Sequence, residues 1–320
     1  MVKQKIIGLL VVLCAVLWGC SSSKNTAGTR WYHGFNVRYN VFFNGQSAFN
    51  EALKNQQKTF QGNDSAMIMF PVDALPREKP TKGGPFDKVI EKSAKAIQQH
   101  SISAKPKREE GRRNDPLYKE WMARTEYNPV LHRAWMLMAK AQFHNGDFLE
   151  AAGTFAYVVR IYRTQPEIYT DALIWQAMSY TNMGWFVEAE ELLAKAKRGG
   201  LPNKQMEDWH ATAYADLLIQ QKKYKEAIPY LNTALKAEKN GWQKKHDRQL
   251  LAQLQNAKVD NTSKTDTDTL YIPSDDNKLA TYQRLKMLPV IEDSLYGDAF
   301  EAYLQGYSQL KRDASLYFFC

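Results

Sequence analysis

Cys20 is the residue whose surroundings most plainly specify a reaction. It closes the tetrad Leu17-Trp18-Gly19-Cys20, behind a short basic start (Lys3, Lys5) and an apolar run from Ile6 to Leu17. That run has the length of a signal-peptide core and is too short to span a bilayer. Lipoprotein processing needs a small residue before the cut and a thiol after it. The sulfur then takes a diacylglyceryl group and the freed amine a further acyl chain. Trp18 departs from the small residue usual at its place. Cys20 is therefore expected to carry lipid once residues 1–19 are removed, with a plain cleaved signal as the alternative. Of the remaining cysteines, Cys14 lies in the discarded segment and Cys320 ends the chain, so no pair is left for a disulfide.

The histidines and acidic clusters are the other residues whose types could do chemistry. His33, His100, His132, His144, His210 and His246 form no metal-spaced motif with Cys, Asp or Glu. Glu207, Asp208 and His210 come nearest and read as a hydrated helix start. Asp266 and Asp268 lack the glycine and closing Glu of a calcium loop. No Gly-x-Ser-x-Gly element or phosphate-cradling glycine loop occurs. The expectation is a non-enzymatic chain without metal, cofactor or small-molecule substrate. The net charge of +9 is concentrated between Arg77 and Arg113, with eleven Lys/Arg against five Asp/Glu. That segment lacks interleaved aromatics for base stacking, so it reads as a solvated loop and helix face near anionic headgroups and not as a nucleic-acid site. A hydrophobic content of 44% with a mean hydropathy of −0.53 suits a body that hangs from a membrane without crossing it.

The elements that would present any binding surface are most legible after Tyr127. The segments Ala134–Phe155, Ala172–Leu193 and His210–Leu231 align without a gap. Ala151, Ala189 and Ala227 fall 38 apart, as do Phe148, Phe186 and Tyr224, and Gly146 and Gly184 keep the same step with Lys222 at the third place. The spacing predicts an α-hairpin: an amphipathic helix ending near the glycine, where a left-handed residue costs least, then a second helix opened by the aromatic. The alanine sits where the helices cross closely. One such pair cannot bury its apolar face, so successive pairs must stack into a curved all-α solenoid with a concave side. Repeats are expected at about 134–167, 172–205 and 210–243, within a repeat region of 127–257. Exposed residues of the first helices (Arg133, Gln142, Gln176, Asn182, Asp216 and Gln220) are the candidate partner contacts. Trp135, Trp175, Trp185, Phe155 and Tyr180 are expected in the core.

The rest of the chain divides by composition. Residues 20–30 form a lipidated polar tether, and 31–126 an N-terminal helical region with basic loops. A helix in "DRQLLAQLQNA" is expected to cover the end of the stack. Residues 258–276 read as a polar linker and 277–320 as incomplete C-terminal helices, an apolar end that suggests a longer parent protein. The stretch "YNVFFNGQSAFNEA" (39–52) has two readings. Alternation by twos before Asn44-Gly45 suggests a strand entering a hairpin, while Phe-x-Asn-Gly followed by Glu-Ala suggests a helical pair broken at Asn44-Gly45. The second is preferred.

The repeat resembles the tetratricopeptide repeat through Trp135, Gly146, Phe148, Ala151 and Phe155 in the first unit. Leu173, Tyr180, Gly184, Phe186, Ala189 and Leu193 carry the likeness in the second, and Tyr224, Ala227 and Leu231 in the third. The step is 38 and not the usual 34, which implies longer connections between pairs. The Leu-Gly element reads Met138-Ala139, Gln176-Ala177 and Tyr214-Ala215. With the tetrad Leu17-Trp18-Gly19-Cys20, which looks like a lipobox, and "RWYHGFNVRYNVFFNGQSAFNEA", the chain looks like the Bacteroidetes tetratricopeptide lipoproteins of the PorW/SprE type, associated with type IX secretion and gliding motility. The resemblance covers most of the chain from Cys20 to about Leu235. It implies an outer-membrane lipoprotein facing the periplasm, anchored through its N-terminal lipid, that binds protein partners of a secretion or motility machine. A general outer-membrane assembly scaffold, or the docking arm of an exported enzyme whose catalytic part is missing, are the other readings.

Overall fold

The computed structural model describes residues 24–60, 69–70 and 84–256, and every regular element among them is helical. Helix α1 spans Ala27–Asn36 and α2 Phe43–Thr59, joined by a π-helical turn, Val37–Phe42. Then follow α3 (Asp87–His100), α4 (Pro116–Ala123), α5 (Leu131–His144), α6 (Phe148–Ile161), α7 (Pro166–Asn182) and α8 (Phe186–Arg198). The last are α9 (Lys204–Gln220), α10 (Tyr224–Ala237) and α11 (Gly241–Asn256). The leader, Cys20, the linker 258–276 and the stretch 277–320 lie outside the described residues.

Helix starts follow from local chemistry. The Thr26 side chain accepts from the Thr29 backbone N–H while the Thr29 hydroxyl accepts from the Thr26 N–H, which satisfies two of the donors that a helix start leaves orphaned. Asp115 accepts from the N–H groups of Leu117 and Tyr118 ahead of Pro116, whose missing donor costs nothing at the first helical position. Asn203 does the same for Met206 at the start of α9, and Pro166 opens α7.

The α-hairpin prediction is met at the level of single hydrogen bonds. The turn after α5 is closed by Gly146 N–H to Phe143 C=O (2.9 Å) and Asp147 N–H to Gln142 C=O (3.0 Å). After α7 the same pair runs from Gly184 to Thr181 (3.0 Å) and from Trp185 to Tyr180 (2.9 Å). After α9 it runs from Lys222 to Ile219 (2.9 Å) and from Lys223 to Leu218 (2.8 Å). This pattern caps the last carbonyls of a helix only when the turning residue is left-handed. Gly146, Gly184 and Lys222 have φ of 80°, 78° and 61°, and Lys222 is the one non-glycine with positive φ among the described residues. Phe148, Phe186 and Tyr224 are then the first residues of α6, α8 and α10.

Packing follows the same repeat. Ala151, Ala189 and Ala227 are fully buried, as are Ala139, Ala177 and Ala215 on the first helices. Phe155, Leu193 and Leu231 are fully buried one turn further on. Trp135, Trp175 and Trp185 are buried as expected, while Tyr180 is half-buried. Each hairpin packs on the next, α6 against α7 and α8 against α9, and first helices also touch, α7 against α9. The connections between pairs, 162–165 and 199–203, are short, and the added length of the 38-residue step goes instead into first helices of 17 residues, α7 and α9. Helix α11 covers α10, as anticipated for an end helix.

The N-terminal stretch differs from expectation. Neither a hairpin strand nor a helix break occurs at Asn44-Gly45, because helix continues from Ala27 through Thr59. Gly45 serves a close approach and not a turn: a Cβ there would stand 3.0 Å from Leu137 Cδ2 of α5. The sequence buries Thr29, His33 and Val37, then Gly45 and Phe49, on a step of four. A four-residue step drifts forward by about 40° per turn in a 3.6-residue helix. The wider π turn between them rotates the face back, so both stretches stay on the protein side. Helix α3 in turn packs on α5, with Phe86 and Phe49 against His144.

Candidate functional site

The six candidate contacts divide sharply once placed. Arg133 on α5 is exposed. Gln142 is half-buried, and its Oε1 accepts from the Thr154 hydroxyl at 2.8 Å, tying α5 to α6 within one hairpin. Gln176 and Asp216, expected on the surface, are buried instead. Gln176 donates to the Tyr180 hydroxyl at 3.1 Å on its own helix. The repeat frame puts them on the exposed side of first helices, but the first helices touch each other along this line and bury whatever lies between them.

Asn182, Asp216 and Gln220 form one connected group. Asn182 Nδ2 donates to Met178 C=O (2.9 Å) and to Asp216 Oδ2 (3.2 Å), bridging α7 to α9. Burial pushes the Asp216 carboxyl up to about 7, against the hydrogen bonds from Asn182 and Gln220 that favour its charged form. Lys140 Nζ meets Asp171 Oδ2 at 3.3 Å between α5 and α7 and lies 4.8 Å from the Trp175 ring centroid. These polar residues act as cross-links between successive first helices.

The first-helix face is also occupied. Met69 and Phe70 lie in the same core, and Phe70 rests against Phe143 of α5, Trp175 of α7 and Trp209 of α9, at centroid separations of 6.3, 6.5 and 6.4 Å. Gln243 of α11 donates to the Met69 carbonyl at 2.8 Å and to Asp247 at 2.8 Å. Asp247 is also raised to about 7 by burial. The chain thus seats one of its own aromatic residues on the surface formed by three consecutive first helices. The sequence offered no direct sign of this, since "MIMF" falls in a proline-broken segment that reads as a loop.

A second meeting of distant residues concerns histidine. His33 Nδ1 and His100 Nδ1 lie 2.9 Å apart, joining α1 to the end of α3. Burial first, and the neighbouring His33 second, lower the pKa of His100. Next to this, Glu126 accepts from the Ser101 hydroxyl (2.6 Å) and from the N–H groups of Ile102 (3.0 Å) and Asn128 (2.7 Å), pinning the chain between α3 and α5. Among the described residues no group of three or more His, Cys, Asp or Glu is placed to hold a metal ion. No helix among them is long and apolar enough to cross a membrane.

No family model matches the chain, and no curated protein matches it.

Proposed function

We propose that the protein is a non-enzymatic scaffold, lipid-anchored through Cys20 on the periplasmic side of the outer membrane, whose helical hairpins bind protein partners. The observation that carries this reading is the recurrence of one α-hairpin, with the same turn hydrogen bonds at Gln142, Tyr180 and Leu218, each 38 residues from the next. Such stacked pairs form a tetratricopeptide-like solenoid, and solenoids spend their side chains on neighbour packing and present continuous faces to partners. Phe70 indicates the chemistry that the first-helix face accepts: a flat aromatic side chain between Phe143, Trp175 and Trp209, with a backbone carbonyl beside it met by a Gln side chain. A partner segment using that face takes the place of Met69-Phe70. The likeness to PorW/SprE-type lipoproteins directs the partner search to secretion or gliding machinery of the type IX kind.

Affinity capture of the full-length protein from solubilised membranes tests the proposal. Envelope proteins of a secretion or motility complex are the expected prey, while recovery of soluble metabolic enzymes alone contradicts it. Replacing Cys20 by Ala should release the protein from the membrane. A variant that still pellets with membranes after salt washing would show that lipid is not the anchor.

A further inference from the structure

An exposed aromatic ladder runs along the N-terminal helix. Trp31, Phe35, Tyr39 and Phe43 recur every fourth residue and are 69%, 47%, 56% and 67% exposed, although they are among the most apolar side chains of the segment. Trp31 and Phe35 stack at 5.6 Å between centroids, and Phe35 and Tyr39 follow at 4.7 Å. The π turn that keeps His33 and Val37 against the protein also holds this ladder on the opposite side of the same helix. Contiguous exposed aromatics of this kind mark an interaction surface.

The charge around the ladder identifies its partner. No Asp or Glu occurs before Glu51, while Lys24, Arg30 and Arg38 fall within or beside the ladder. Lys24 and Arg38 are exposed. Arg30 lies over the Trp121 ring, 5.1 Å from its centroid. The carboxylate lining the hollow beside Trp31, Glu126, is buried and already accepts from Ser101, Ile102 and Asn128. Trp, Tyr and Phe on one helix face with cations and without carboxylates suit the headgroup region of an anionic bilayer, where aromatic rings settle and basic side chains meet phosphate. Position agrees: the chain between Cys20 and Ala27 spans at most about 25 Å when fully extended.

We propose that this ladder lies flat on the anionic membrane surface and so fixes the orientation of the protein that the lipid merely tethers. The inference rests on the lipid-anchor reading, and its test separates the two. Full-length protein is reconstituted in vesicles of phosphatidylethanolamine and phosphatidylglycerol, with or without bromine on the acyl chains near the headgroup. Emission of the Trp31→Phe variant is subtracted to isolate Trp31. The expected result is blue-shifted Trp31 emission quenched by bromine, with binding of the Cys20→Ala chain to phosphatidylglycerol vesicles falling on the order of tenfold or more when Trp31, Phe35 and Tyr39 become Ser. These side chains are exposed, so circular dichroism should show the fold unchanged. Trp31 emission indifferent to bromine in a chain that stays with the vesicles overturns the ladder proposal and leaves the anchor standing. Quenching that persists in Cys20→Ala supports the ladder, and only a Cys20→Ala chain that stays with the vesicles through salt washing contradicts the anchor. A full-length chain that does not stay with the vesicles contradicts both.

Discussion

Lys222 stands where the two preceding turns use glycine, and it takes the same left-handed backbone, φ 61° against 80° and 78°. A side chain in that region costs roughly 1–2 kcal/mol against a right-handed residue, partly offset by the greater chain entropy that glycine loses on folding. Lys222→Gly should therefore stabilise the protein by about 0.5–1 kcal/mol, read as a higher urea midpoint with unchanged slope. Gly184→Ala is the mirror experiment. A Cβ there would meet nothing within 4 Å, so any loss comes from the backbone alone, about 1 kcal/mol. If Gly184→Ala proves neutral, the turn does not require its left-handed residue. These turns were legible in the sequence because backbone geometry is local: Gly146 and Gly184 announce it, and Phe148 and Phe186 mark where the next helix begins. Gly45 shows the limit of that logic. It looks like a helix terminator, but its small size is needed for Leu137, a residue that only the tertiary fold brings near.

Between elements, the decisive contacts are small or buried. Ala189 is fully buried where α8 crosses its partners, and Ala189→Leu should cost about 1–3 kcal/mol by forcing helices apart, measured by denaturant melts. Asp216 offers a test with a pH signature. Its carboxyl loses its proton near 3.8 in the unfolded chain and near 7 when folded. Between those values the folded state holds the extra proton, so this group's contribution falls as pH rises and is at its most unfavourable above 7. Asp216→Asn keeps an acceptor for Asn182 and removes the charge. Its stability advantage over the parent should be small near pH 4, grow toward pH 7 and then level off. Asp247 is common to both chains and cancels in the comparison. An advantage that does not change across that window contradicts a carboxyl that burial holds protonated against its hydrogen bonds. The repeat frame puts Asp216 and Gln176 on the exposed side of first helices, and nothing in the pattern of one helix reveals that the neighbouring first helix lies over them.

At the level of the molecule, the first-helix face is a seat that the chain fills for itself. An internal occupant competes at a high effective concentration, so an added segment of the same chemistry should bind poorly to the parent. A synthetic peptide with the sequence of residues 67–72, MIMFPV, should bind the Phe70→Ala protein at least tenfold more tightly than the parent by titration calorimetry. Equal affinity for both proteins would mean that Phe70 does not occupy the seat in solution. The most direct test of partner binding through the hairpins is photo-crosslinking in living cells, with the reactive residue placed at exposed Arg133 on first helix α5 or at exposed Val187 on second helix α8. The account predicts adducts with envelope proteins from position 133 and few or none from position 187. Adducts from 187 alone, or only with soluble metabolic enzymes, would contradict it.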